Sequence, residues 1–409
     1  MIEKKSQIVP LFSLEARIKR SLRRHLRNIG FSRTHTGLLQ PPSESKESIR
    51  NLHRTQRNDL LRKERNFVTR SWPKLKNYFA NGTEILPEKI DPELELIEGG
   101  TWQSDLFRLA CLTWSVPVSQ GYGRRLRFLV WDKSNGKLIG LIGLGDPVFN
   151  LKVRDQLIGW NSSQRKRRLV NLMDAYVLGA LPPYNFLLCG KMIACLIRTK
   201  EVRDYFLAKY NDSKGIISRQ RKQPRLVAVT TSSALGKSSL YNRLALNGER
   251  YFQPIGYTAG WGHFHVPASL FILIREYLKS KGHKYSFNNR FGQGPNWRLR
   301  AIRYTLSSLD LNPNLLRHGI NREVFLCQLS SNSTRFLVGK TKRVLYKGLL
   351  SASKVAQLSL TRWVSPRAAR RPEFKSWKIE NTLEMLRPTK SNGLHTQEII
   401  GKDIQRGSR

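Results

Sequence analysis

Arg127-Phe-Leu-Val-Trp-Asp132, Ser134-Asn-Gly136 and Lys137-Leu-Ile-Gly-Leu-Ile-Gly-Leu-Gly145 stand in close succession. Two apolar runs of strand length flank an Asn-Gly pair, the strongest short signal for a hairpin. Downstream, strand and helix patterns alternate. Residues 173–181 read as a strand or short helix ending at Pro182-Pro183, and 187–210 as helical. Residues 225–231 read as a buried strand, 238–246 as a helix, and 252–257 as a strand. Residues 270–279 and 297–309 read as helices, and 323–329 as a strand. One hairpin within such alternation predicts an α/β fold with a mixed sheet over residues 101–330.

The flanks differ. Residues 1–80 are expected to form a basic helical extension. Leu14, Ile18, Leu22, Leu26 and Ile29 recur at helical spacing among Arg17, Lys19, Arg20, Arg23, Arg24 and Arg27. After Pro41-Pro42 a second helix is expected to start at Ser45, a good N-cap, and to run to Val68. Residues 80–100, rich in Pro, Gly and acids, read as a boundary loop, followed by a short helix over 103–114. Residues 331–409 are expected to be a basic, irregular, partly flexible C-terminal region, loose from about Thr389.

Seventy-two Lys and Arg face 29 Asp and Glu, a formal net charge of +43. A compact chain with this excess repels itself unless an anion neutralises it. Nucleic acid is the expected partner, because its binding releases counterions. With 40% hydrophobic residues and nine Trp, the chain is no low-complexity basic tail. Cys111, Cys189, Cys195 and Cys327 lack zinc-knuckle spacing and read as buried thiols in a reducing compartment. Residues 1–10 lack an apolar signal core, and no run of ~18 apolar residues appears. A cytoplasmic protein without a membrane partner is expected.

Basic and aromatic residues interleave at Tyr122-Gly-Arg124-Arg125, at Trp160 before Arg165-Lys166-Arg167-Arg168, and at Trp297-Arg298 with Arg300 and Arg303. These side chains are the expected nucleic-acid contacts: cations on phosphates, Trp160 and Trp297 stacking on bases. Trp131, inside its strand, reads as core. Asp132, Asp146, Asp155 and Asp174 cluster in an acid-poor chain. Asp146, Asp174 and Asn185 are the catalytic candidates for metal-dependent nuclease chemistry, although turns and neighbouring Arg explain the carboxylates better. A concave site is expected to gather Asp146, Asp174, Tyr184, Asn185 and Gly190. His263 and His265 lie on one side of an extended segment, as half a metal site or as structural histidines; no metal or cofactor is predicted. Gly236-Lys237-Ser238 imitates a phosphate loop, but Thr231 stands where its first glycine belongs.

The hairpin, the strand and glycine-containing loop before the 187–210 helix, and the further strand over 227–231 resemble acetyltransferases of the GNAT superfamily. That resemblance implies a pyrophosphate site at Gly190 and Lys191, although only one glycine of the family's loop is kept. Longer strings point elsewhere. Leu112-Thr-Trp-Ser-Val-Pro-Val-Ser119, Gly143-Leu-Gly-Asp-Pro-Val-Phe-Asn-Leu151 and Asp174-Ala-Tyr-Val-Leu-Gly-Ala-Leu-Pro-Pro-Tyr-Asn185 are three of them. Val229-Thr-Thr-Ser-Ser-Ala-Leu-Gly236, Gly256-Tyr-Thr-Ala-Gly-Trp-Gly-His-Phe-His265 and Phe291-Gly-Gln-Gly-Pro-Asn-Trp-Arg298 complete the set. Together they resemble the DruA family of the Druantia anti-phage defence systems over about residues 45–345. The resemblance implies a bacterial defence protein working beside a helicase-like subunit, DruE, and carries no catalytic residues with it. The expected function is therefore nucleic-acid binding, DNA foremost, within a multi-subunit defence complex. A nuclease or transferase, and a scaffold for an acidic partner, are the alternatives.

Overall fold

The hairpin forms two adjacent strands near one edge of a seven-stranded mixed sheet. A computed structural model describes residues 13–36, 39–42, 45–119, 123–214, 221–260, 262–286 and 297–389. The strands are β1 (Pro92–Leu96), β2 (Arg125–Asp132), β3 (Lys137–Gly145), β4 (Leu172–Ala180), β5 (Ala228–Ser232), β6 (Gln253–Tyr257) and β7 (Glu323–Gln328). Their spatial order is β6-β7-β5-β4-β3-β2-β1. Every pairing is antiparallel except β4 with β5, which run parallel over Leu172–Ala228, Met173–Val229 and Asp174–Thr230.

Both faces of the hairpin are covered, which is why its strands carry no charge over Phe128–Trp131 and Leu138–Gly145. On one side Phe128, Ile139, Ile142 and Leu144 pack with Ile193, Leu196, Val202 and Phe206. On the other, Leu129, Leu138 and Leu141 meet Phe67, Leu106 and Leu109. Gly140 is required: a Cβ there would lie 2.3 Å from the Gly179 carbonyl and from Ile193 Cδ1. The helices of the first half are α1 (Leu14–Asn28), α2 (Lys46–Lys63), α3 (Arg65–Leu75), α4 (Trp102–Cys111), α5 (Lys152–Ile158), α6 (Ser162–Arg168), α7 (Cys189–Leu196) and α8 (Lys200–Tyr210). As expected, Ser45 caps α2, its hydroxyl accepting from the Ser48 N–H at 3.1 Å. A second core joins Ile18, Leu22 and Leu26 of α1 to Leu270, Ile274 and Leu278 of α9 (Ala268–Ser280) and to Ile302 and Leu306 of α10 (Trp297–Ser308). The N-terminal helix thus packs on elements some 250 residues later rather than forming a separate extension.

Four sequence expectations are revised. Residues 80–100 are no boundary, because β1 forms the sheet edge; Pro92 opens it, where a missing N–H breaks no ladder. The helix over 187–210 divides at Thr199, which caps α8. No helix occupies 238–246. The Ser238 hydroxyl accepts from the Leu240 and Tyr241 N–H groups, and Glu323 accepts from the Ser238 N–H and the Asn242 amide. One 3-10 turn, Tyr241–Arg243, follows. Asn247 and Gly248, at φ 50 and 77, then close a tight hairpin between Ala245–Leu246 and Glu249–Arg250. Finally, the C-terminal region is largely helical rather than irregular between 333 and 385. After α11 (Ser333–Val338) come α12 (Ala352–Ser359), a π turn (Leu360–Val364), α13 (Ser365–Arg370) and α14 (Ile379–Met385), and Trp363, Val364 and Phe374 enter the main core. Residues 390–409 lie outside the described residues.

Asp132 ties the hairpin turn to its surroundings. It is fully buried. Its Oδ1 accepts from the Asp91 N–H at 3.1 Å and from the Ser134 N–H and hydroxyl, while Oδ2 accepts from Tyr184 OH at 2.9 Å. Burial, then the adjacent carboxylate, push the Tyr184 phenol far above its ordinary value. Asp132→Ala leaves several buried donors unpaired. It is expected to lower unfolding free energy by about 3 kcal/mol, read as a shifted urea midpoint with an unchanged m-value.

Candidate nucleic-acid interface

The structure divides the expected contacts into engaged and available groups. Arg124 is engaged: Nε pairs with Asp146 Oδ1 at 2.8 Å, Nη1 donates to the Val170 carbonyl, and Nη2 to the Leu172 carbonyl. Its turn needs Gly123, at φ +82, since a Cβ there would lie 2.2 Å from Asp146 Oδ2. Arg125 lies over the Tyr176 ring at 5.9 Å. Tyr122 falls outside the described residues. Trp160 is buried and donates Nε1–H to the Leu337 carbonyl at 2.7 Å, so its ring cannot stack on a base. Trp297 packs edge-on to Phe271 at 5.6 Å. Arg298 lies 4.2 Å over Phe271 and donates to the Val266 carbonyl; burial lowers its pKa. Arg165 pairs with Asp155 at 3.1 Å, and Arg168 donates to the Phe336 carbonyl.

Lys166 and Arg167 on α6, and Arg300 and Arg303 on α10, are exposed and have no carboxylate partner among the described residues. Sequence reasoning left a larger basic row out of the site. On α1, Arg17, Arg20, Arg23, Arg24 and Arg27 all face solvent while Ile18, Leu22 and Leu26 are buried. The positions 17, 20, 24 and 27 carry the three- and four-residue spacing of one helical stripe, and that spacing was the missed signal. The helix's one acid, Glu15, is 3.8 Å from Lys281. Tyr304, exposed on α10 beside Arg300 and Arg303, stacks on His283 at 3.8 Å. The stacked pair Tyr78–Trp102 sits differently: neighbouring Trp131, half-buried, donates to Glu95 at 2.6 Å, and that carboxylate repels phosphate.

The catalytic and cofactor candidates do not converge. Asp174 lies opposite Gly145, at the start of β4, whereas Gly190 lies beside Ala180, at its end. Asn185 follows Tyr184, whose hydroxyl meets Asp132 at the far end of the hairpin; its Oδ1 is buried without a partner. Asp146 is held by Arg124, and Asp174 accepts from the Thr230 hydroxyl at 2.7 Å. Lys191 Nζ lies 5.4 Å over Trp363, its pKa lowered by burial and by Arg362, Arg243 and Arg367. Gly236 and exposed Lys237 sit in a loop with no helix after it, so no helix terminus faces a phosphate there. His265 pairs with Asp59 at 2.8 Å while His263 bridges to Arg317. Among the described residues no group of three or more His, Cys, Asp or Glu is placed to hold a metal, and no helix is long and apolar enough to cross a membrane.

Comparison with known proteins gives a family. The model of the family described as Druantia protein DruA matches residues 43–339. A Druantia protein DruA of Escherichia coli (strain UMEA 4076-1) is 53% identical over 382 residues, covering 93% of this chain and 94% of the relative. No solved structure matches. The chain belongs to the DruA family.

Asp174 yields a pH dependence. Burial pushes its carboxyl from 3.8 up to about 6, against the opposing Thr230 hydroxyl and Arg154. Between those values the folded chain keeps a proton that the unfolded chain has lost. Stability therefore falls as pH rises through this window, and the whole loss is present above it. Asp174→Asn is expected to match the parent near pH 4 and to exceed it by about 2 kcal/mol above pH 7, measured by denaturation at both pH values.

Proposed function

We propose that this DruA-family chain acts in anti-phage defence by holding the phosphodiester backbone of nucleic acid, DNA foremost, in the cytoplasm. It does so within an assembly of Druantia subunits that includes the helicase-like DruE. The observation that carries this reading is the arginine row of α1. Its apolar stripe packs against α9, so the helix presents its arginines outward as a row, with one acid on the helix. An ordered cationic row gains counterion-release free energy without first ordering a flexible tail. Exposed Lys166, Arg167, Arg300 and Arg303 extend the same chemistry to two further helices. Exposed Tyr304 is the stacking candidate on an unpaired base, replacing the buried Trp160.

A GNAT-like core is the architectural part of the proposal. The hairpin, β4, the helix opening at Cys189 and the parallel strand β5 follow that template's order, which supports it. Leu240 lies against Gly190, in the position of the template's cofactor loop. Acyl transfer is therefore not proposed.

Binding is tested by fluorescence anisotropy with labelled single-stranded DNA, duplex DNA and RNA over a salt series. The Arg17→Gln, Arg24→Gln, Arg27→Gln triple variant is expected to flatten the log K against log salt slope by about 2–3, one unit for each phosphate no longer neutralised. Lys166→Gln with Arg167→Gln removes about 2 in the same way. Trp160→Phe leaves the slope unaltered. A parent chain that ignores every polynucleotide in dilute buffer, or a triple variant with the parent slope, refutes the reading.

A further inference from the structure

A cavity of about 520 Å³ opens where the end of α7 meets the hairpin strand Glu249–Arg250 and strands β6 and β7. Its volume falls in the range of small-molecule sites. Its wall is mixed: Arg198, Arg250, Lys347, Gln253 and Gln328 supply donors, Glu249 a carboxylate, and Leu326 and Tyr251 apolar surface. Such a wall suits a ligand that joins a charged group to a less polar body.

Charge and geometry narrow the class. Arg198 is fixed on three sides. Its Nη1 pairs with Glu249 at 2.6 Å, its Nε donates to the Gln328 carbonyl at 2.9 Å, and its guanidinium lies 4.9 Å over Tyr251. Glu249 is thereby engaged, which leaves Arg250 and Lys347 on the rim, both exposed and without a carboxylate partner among the described residues.

We infer that this cavity binds a terminal phosphomonoester on a nucleotide-sized ligand, with Arg250 and Lys347 on the phosphate oxygens. The dianionic phosphate matches the two unpaired cations, and charge-assisted hydrogen bonds are the stronger kind. None of these residues belongs to the proposed backbone interface, so the two readings fail separately. A free nucleotide and the 5′-phosphorylated end of a strand share this chemistry.

Calorimetric titration of the full chain tests it, with AMP, adenosine, and a short oligonucleotide with and without its 5′-phosphate. AMP is expected to bind more tightly than about 1 mM, and adenosine at least tenfold more weakly. Arg250→Gln with Lys347→Gln lowers AMP affinity by about tenfold or more; both side chains are exposed, so folding is spared. Displacement of AMP by the 5′-phosphorylated oligonucleotide, and not by its unphosphorylated form, identifies a strand end; no displacement by either identifies a free nucleotide. Adenosine binding as well as AMP, an unchanged double variant, or no heat from AMP overturns the inference.

Discussion

The sheet exists as one object because of three parallel residue pairs, Leu172–Ala228, Met173–Val229 and Asp174–Thr230. On one side lies an antiparallel meander of four strands; on the other, β5, β7 and β6. The backbone ladder between them is short, and side chains prolong it: the Thr230 hydroxyl donates to Asp174, and the Thr231 hydroxyl to the Ala175 carbonyl at 2.9 Å. Asn171 lengthens it at the other end, accepting the Val227 N–H on its carbonyl and the Arg225 N–H on its side chain. The weakened acidity of Asp174 is a direct result, since a carboxyl enclosed at that seam loses hydration that one hydroxyl only partly replaces. Beyond the third pair, Tyr241 and Leu240 pack against the main core, in the stretch that lacks its expected helix.

The legible parts of this fold are those where neighbours in sequence decide the outcome. Short apolar stretches announced β2, β3, β5 and β7, and Ser45 announced the start of α2. What failed depended on distant partners. Residues 238–246 have an ordinary helical pattern. Glu323, some 85 positions on, captures the Ser238 N–H and the Asn242 amide and holds the chain in a turn. Trp363 and Phe374 stand among Arg and Lys, and their local surroundings gave no sign that the main core would take them.

The site was legible in kind more than in place. The charge excess pointed to a phosphate partner, and four clustered basic residues were found at 165–168. Half of these turn inward, because Asp155 and α11 lie where no local pattern could announce them. Trp160 was misjudged for the same reason: its hydrogen-bond acceptor belongs to α11. Conversely, the α1 arginines were visible as a periodic row, yet their value as a fixed row rests on α9, which the sequence does not tie to them.

Trp363, Val364 and Phe374 complete the main core from the C-terminal side of the chain. During synthesis the sheet therefore stays unsealed until those residues clear the ribosome, while α1, its arginines already outward, waits for α9. A chain cut at residue 340 lacks those side chains, leaves the main core open, and is expected to accumulate as insoluble product.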